Sequence, residues 1–164
     1  MRIGHARDIH KFGENRKLVL GTVEIDYPLG LVGHSDADCL VHAIVEAIIG
    51  AMGLGDLGKH YPDTDPKYKD IPSSYFLFDV KKKLQENNYK IVNIDCTIMI
   101  EKPMMAPHIL VMIDNICHIL DIDSSQINIK ATRGEGLGFV GEGKGVECDA
   151  VVLLENASPY IKKL

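Results

Sequence analysis

The sequence predicts an α+β fold: a mixed or antiparallel sheet of four to five strands with helices on one face. Three observations carry this. Val92, Ile94, Cys96, Ile98 and Ile100 alternate with Asn93, Asp95, Thr97, Met99 and Glu101, the period of two that marks a half-buried strand. Residues 38–52 are apolar almost all round, as a buried helix is. The elements run β-β-α-α-β-α-β-β, an order that lays helices on one sheet face and leaves the other to be covered by self-association.

Taken in order, residues 1–10 read as a first strand and Lys17 to Ile25 as a second. Ser35 and Asp36 are candidate caps for the helix over 38–52. Asp38, His42 and Glu46 stand at i, i+4 and i+8 on that helix, one polar line on a greasy cylinder. Residues 54–72 carry Gly, Pro and Asp and read as a long loop. A helix follows over 73–88, with Lys81, Lys82 and Lys83 as its solvated face. After the alternating strand, Pro107 opens a helix that runs to about Leu120. Ile127, Ile129 and Ala131 alternate into a strand, and the last strand runs from Val146 to Leu154. Nine of fifteen glycines fall at or before Gly58 and six crowd into Gly134 to Gly145. Loop-rich ends therefore flank a regular middle, and no composition shift divides residues 1–164, which read as one domain.

Length and charge narrow the function. A chain of 164 residues suits a single core. A net charge of -5 argues against nucleic-acid binding by general attraction, because no basic excess exists to neutralise phosphates. No apolar stretch reaches the roughly 20 residues a membrane span needs. The N-terminus lacks a signal or transit pattern, so a cytoplasmic protein is expected, or a plastid one had a transit peptide been removed. Cys39, Cys96, Cys117 and Cys148 sit apart in apolar runs with no C-x-x-C pair, which points to buried thiols in a reducing compartment.

Four segments carry candidate chemistry. Asp8 and His10 share one strand face, and with His42 they make three metal donors, the number that leaves one tetrahedral zinc position open. Glu46, one turn beyond His42, is placed to accept its second ring N–H. The plainer alternative is two surface residues and a satisfied core histidine. Gly33-His34-Ser35-Asp36-Ala37-Asp38 offers His34, Ser35 and a helix N-terminus to an anion, or is simply a capping segment. The loop from Gly55 to Pro66 projects carboxylates suited to sugar hydroxyls, or is a plain turn-rich connection. Ala131-Thr132-Arg133-Gly134-Glu135-Gly136 ends a strand in glycines that let backbone approach phosphate, with Glu135 able to hold a hard divalent cation; the alternative is a glycine-rich hairpin.

Together these segments resemble one family, the 2-C-methyl-D-erythritol 2,4-cyclodiphosphate synthases of the non-mevalonate isoprenoid pathway. The resemblance runs from Arg2 to about Leu154. It rests on Asp8-Ile9-His10, on His34-Ser35-Asp36-Ala37-Asp38 with His42, on Leu54-Gly55-Asp56-Leu57-Gly58, on Tyr61-Pro62-Asp63-Thr64-Asp65-Pro66, and on Gly136-Leu137-Gly138-Phe139. It implies a phosphorus–oxygen lyase. The substrate would be 4-diphosphocytidyl-2-C-methyl-D-erythritol 2-phosphate, whose 2-phosphate attacks the β-phosphorus, expels CMP and closes a cyclic diphosphate.

The resemblance further implies a homotrimer, its sheets around a three-fold axis and its sites between subunits. Asp8, His10 and His42 would hold zinc, and Glu135 would hold magnesium or manganese. His34, Arg133 and Glu135 would be the catalytic residues. Asp8, His10, His34 and Ser35 would face substrate. Asp56 and Gly58 would contact the ribose, Tyr61 would face substrate, and Asp63 and Asp65 would belong to the loop around the methylerythritol. Ile100, Lys102, Pro103, Met104, Met105 and Ala106 with Ala131 and Thr132 would form the cytidine pocket, with Phe139 nearby. Three departures stand out. Arg133 replaces a usual hydroxyl residue, the order Lys102-Pro103-Met104 replaces Pro-Lys, and Arg7 and Glu142 replace an aromatic and a basic residue. Arg7 is expected near the trimer axis, paired with Glu142 or Asp149. The alternative within the same family is an impaired or non-catalytic trimer that binds metal or nucleotide.

Overall fold

A computed structural model describes residues 1–157; Ser158–Leu164 of the expected domain lie outside the described residues. The fold is α+β. A five-stranded mixed sheet has the order β4-β1-β7-β5-β6, formed by β1 (Arg2–Gly13), β4 (Gly30–Leu31), β5 (Tyr89–Met99), β6 (Ile127–Thr132) and β7 (Gly145–Asn156). Only β5 and β6 run parallel. They are joined through α4 (Ile109–Leu120), the crossover a parallel pair requires.

Helix α1 (Cys39–Met52) lies across β1 and β7, with α3 (Ser74–Glu86) beside it and α4 packed on α3 and β6. Leu40, Ile44, Ile48 and Ile49 of α1 are fully buried, as are Ala150 and Val152 of the sheet. Gly4 makes the seating possible. A Cβ at that position would lie 1.9 Å from the Ala47 carbonyl oxygen, so only glycine lets strand and helix backbones meet there.

The expected second strand is two. β2 (Leu18–Leu20) and β3 (Val23–Ile25) form a separate hairpin whose turn residues Gly21 and Thr22 have φ of 57° and 64°. Left-handed backbone is costly for a β-branched residue. The cost is offset by Asp38, buried completely, whose carboxylate accepts the N–H groups of Gly21 (2.9 Å), Thr22 (2.7 Å) and Val41 (3.1 Å). Asp38, not Ser35 or Asp36, therefore caps α1, and it ties the helix start to the hairpin turn.

Other differences are local. The expected loop over 54–72 contains a short helix, α2 (Leu57–His60), and a 3₁₀ turn at Pro66–Tyr68, capped by Asp56 and Asp65. β5 begins at Tyr89 and its register shifts between Ile91 and Asn93. Val92 is the extra residue of a bulge, and the inward alternation starts at Ile94. A four-residue helix, α5 (Gly138–Gly141), lies in the glycine-rich connection. No helix among the described residues is long and apolar enough to cross a membrane.

Candidate metal centre and ligand cavity

Asp8 and His10 project from β1 toward α1, where His42 waits one turn inside the helix. His10 Nε2 lies 3.0 Å from Asp8 Oδ2, His42 Nδ1 lies 3.1 Å from the same oxygen, and the two ring nitrogens are 3.1 Å apart. A tetrahedral zinc with bonds near 2.05 Å separates its donors by ~3.3 Å. The three atoms thus make one face of such a polyhedron, and their chemistry suits zinc. Three electron-rich atoms crowded this closely need a cation or shared protons between them. Burial works against charge on Asp8, but hydrogen bonds from His10 and His42 outweigh it and hold the carboxyl well below its ordinary range. Burial likewise opposes charge on His10, yet Asp8 raises the imidazole above its usual value.

The far side of each ring is also engaged. His10 Nδ1 meets the Val32 carbonyl oxygen at 3.0 Å. His42 Nε2 meets Ser73 Oγ at 3.0 Å and Ser35 Oγ at 3.2 Å, and Phe76 packs edge-on to the ring. Glu46 is not the partner of His42. Its half-buried carboxylate turns to the Leu57 N–H instead, and burial with nearby Asp8 and Asp56 pushes its carboxyl up. The helical spacing was sound, but the second ring nitrogen points toward α3 and not along α1.

The other expected residues fall into three groups. Ser35 is buried with its hydroxyl against His42 and the Ala37 N–H, so it belongs to the frame of the triad. Tyr61 is also buried, its ring tilted against Phe76, and its hydroxyl donates to Asp79 at 2.6 Å. That leaves the backbone of Tyr61 as the part able to face a ligand. Asp56, Gly58 and Asp63 are exposed, while His34 and Asp65 are half-buried; Asp56 and Asp65 spend one carboxylate oxygen each on the caps of their turns.

A cavity of about 730 Å³ forms the third group. Residues 100–106 line it with Ala131 and Thr132, the set the resemblance implies, and so do Arg133, Tyr27 and Ile109. Tyr27 lies far upstream and carries no motif that would have marked it. Beside the cavity, Gly134 N–H donates to Glu101 at 3.1 Å. Glu135 is exposed with φ of 52°, a strained conformation of the kind found at functional loops, and Arg133 lies 3.8 Å from its carboxylate. Phe139 stands partly exposed on α5.

Triad and cavity do not meet within one chain. Across the sheet, Asp8 faces Cys148, Cys148 faces Ile98 and Ile98 faces Ala131. Three strand spacings put ~14 Å between them. On the helix-free sheet face, Ile3, Ile9 and Val151 are exposed. There Arg7 pairs with Asp149 and Glu147, each at 3.1 Å. Within the chain Glu142 pairs with Lys144, and Asp149 is the expected partner that Arg7 meets.

This layout, with its D-x-H strand and helical histidine, can be set against known proteins. Residues 1–155 match the YgbB family. The chain belongs to the YgbB family. It is similar to curated proteins named 2-C-methyl-D-erythritol 2,4-cyclodiphosphate synthase. That of Clostridium novyi is 57% identical over 154 residues, covering 94% of this chain and 98% of the relative. That of Lachnospira eligens is 53% identical over 161 residues, 98% and 88% of the two chains. Among solved structures, a CDP complex of IspF from Plasmodium falciparum superposes with a TM-score of 0.84 at 36% identity, covering 96% of this chain and 97% of that one. The bifunctional IspDF of Campylobacter jejuni gives a TM-score of 0.91 at 42% identity over 94% of this chain. This chain spans 42% of that longer protein. Membership in the YgbB family agrees with the resemblance drawn from the motifs, and the five-stranded α+β architecture agrees with the family's solved structures.

Proposed function

We infer that the chain converts 4-diphosphocytidyl-2-C-methyl-D-erythritol 2-phosphate to 2-C-methyl-D-erythritol 2,4-cyclodiphosphate and CMP. One observation carries the reading beyond family membership. Asp8, His10 and His42 converge to 3.0–3.1 Å with the remaining ring nitrogens already bonded.

The reaction is an intramolecular phosphoryl transfer, so holding the two phosphates in line contributes most of the acceleration. Zinc at the triad would supply a Lewis acid that polarises and orients phosphate oxygens, and magnesium or manganese at Glu135 would neutralise charge on the diphosphate. The chain's own groups do the rest. His34 donates to the phosphate as charge builds. Arg133 offers the diphosphate a charge-assisted hydrogen bond in place of a hydroxyl's neutral one. Residues 100–106 with Ala131 and Thr132 enclose cytosine. Asp56 and Gly58 take the ribose, and Asp63 and Asp65 meet the methylerythritol. The ~14 Å between triad and cavity and the exposed apolar sheet face support a homotrimer in which one chain's triad works with its neighbour's cavity.

The test measures CMP release from this substrate before and after zinc is stripped by a chelator. His42→Ala should bind no zinc at the triad and release no CMP, while keeping native circular dichroism. Full zinc stoichiometry and turnover in that variant would overturn the assignment.

A further inference from the structure

Ser73 is fully buried and stands at the N-cap of α3, yet its side chain accepts nothing from that helix. A serine at this position normally bonds the N–H two or three residues on. Here its hydroxyl lies between two other groups. Ser73 Oγ donates to Asp36 Oδ1, while the Ser73 backbone N–H donates to Asp36 Oδ2 at 2.8 Å. On its other side is His42 Nε2, at 3.0 Å.

The donor and acceptor inventory fixes the direction of this chain. An ionised carboxylate only accepts, and a hydroxyl has one proton. With that proton given to Asp36, Ser73 Oγ can only accept from His42, so Nε2 carries the ring hydrogen. When a metal is bound, Nδ1 then presents its lone pair to the site beside Asp8 and His10. Ser35 Oγ, which already accepts the Ala37 N–H at 3.2 Å, is a second oxygen beside the same nitrogen. His10 is set the same way by simpler means. The Val32 carbonyl can only accept, so Nδ1 of His10 carries the proton and Nε2 faces the triad.

We infer that Asp36 and Ser73 are positioning residues for the metal: a carboxylate–hydroxyl–imidazole chain from α3 that selects the tautomer and ring angle with which His42 binds it. The inference rests on the triad being a metal site. It assigns a role to a serine that in sequence reads only as the start of a helix, 31 residues from the histidine it serves.

Two measurements test it on the full-length protein. Nitrogen-15 histidine NMR reads which ring nitrogen is protonated, and competition against a chromophoric chelator reads zinc affinity. In the native chain, added zinc should shift Nδ1 of His42 and leave a slowly exchanging proton on Nε2. Ser73→Ala should bind zinc roughly 10–100-fold more weakly, as loss of a group behind a ligand does, with its metal-free His42 spread over both tautomers. Ser73→Thr, which keeps the hydroxyl, should restore both readouts. The inference is overturned if His42 binds zinc through Nε2 in the native chain, an outcome that needs no variant. It also falls if Ser73→Ala keeps native zinc affinity and the native tautomer. If zinc shifts neither His10 nor His42, the metal reading fails first and takes this inference with it.

Discussion

Asp79 shows how one carboxylate can brace the segment between α2 and the 3₁₀ turn. It accepts from the Tyr61 hydroxyl at 2.6 Å and pairs with Lys83 at 3.1 Å, so α3 holds the segment bearing Asp63 and Asp65. Burial opposes its charge, but these two partners outweigh burial and hold the carboxyl below its ordinary range. A depressed folded value means the contribution is full above the ordinary carboxyl range and is lost as pH falls through the depressed one. Asp79→Asn should therefore cost about 1 kcal/mol at neutral pH and almost nothing at the acid end. Urea midpoints of the two chains at neutral and acid pH check this, and a gap that widened in acid would contradict the sign. Single residues were legible where a motif named them, as for Asp8, His10 and His42. Asp79, Tyr27 and Ser73 were not, because each acts through a partner distant in sequence that no local pattern reveals.

The joint between the β2–β3 hairpin and α1 depends on one side chain. Asp38 answers three backbone donors that would otherwise be buried without partners. Asp38→Ala should destabilise the fold by roughly 2–4 kcal/mol, the cost of stranded donors plus a lost cap. Asp38→Asn, which keeps one acceptor oxygen, should lose less. Denaturant unfolding ranks the two, and equal stability of all three chains would show that the turn holds itself. Elements with a clean period were legible: α1, α4 and the outer part of β5. The hairpin was not, because a threonine in left-handed backbone runs against local preference and persists only through a tertiary contact. The bulge at Val92 escaped for a related reason. It shifts the inward face by one residue without leaving a glycine to mark it.

At the scale of the whole molecule, the triad on β1 and the cavity beside β6 lie three strands apart in the sheet. If neighbouring subunits complete each other's sites, two dead variants can rescue one another. His42→Ala lacks a triad and Glu135→Ala lacks the loop carboxylate. Unfolded together at equal amounts and refolded, they should regain about a quarter of native CMP release through mixed trimers. Each refolded alone should stay inactive. No recovery in trimers shown by mass to be mixed would mean that each chain works by itself. In the sequence the expectation of assembly rests only on a sheet face with no helix to cover it. The candidate metal residues lie on β1 and α1 and the cavity residues beside β5 and β6, and sequence spacing alone could not tell that they stay apart.

The contact at Gly4 has a mechanical consequence. It is a fulcrum on which α1 rests, and His42 sits five residues along the helix, about 7.5 Å away. A methyl group added there would collide with the Ala47 carbonyl and lift the helix like a shim under a beam. Metal donors tolerate displacements of only ~0.2 Å, far less than such a wedge demands. Gly4→Ala should thus weaken zinc binding by at least about tenfold without altering a ligand, read by the same chelator competition. Native affinity in that variant would mean the beam bends before it transmits. If it does transmit, the bare backbone at position 4 calibrates the metal centre from across the helix.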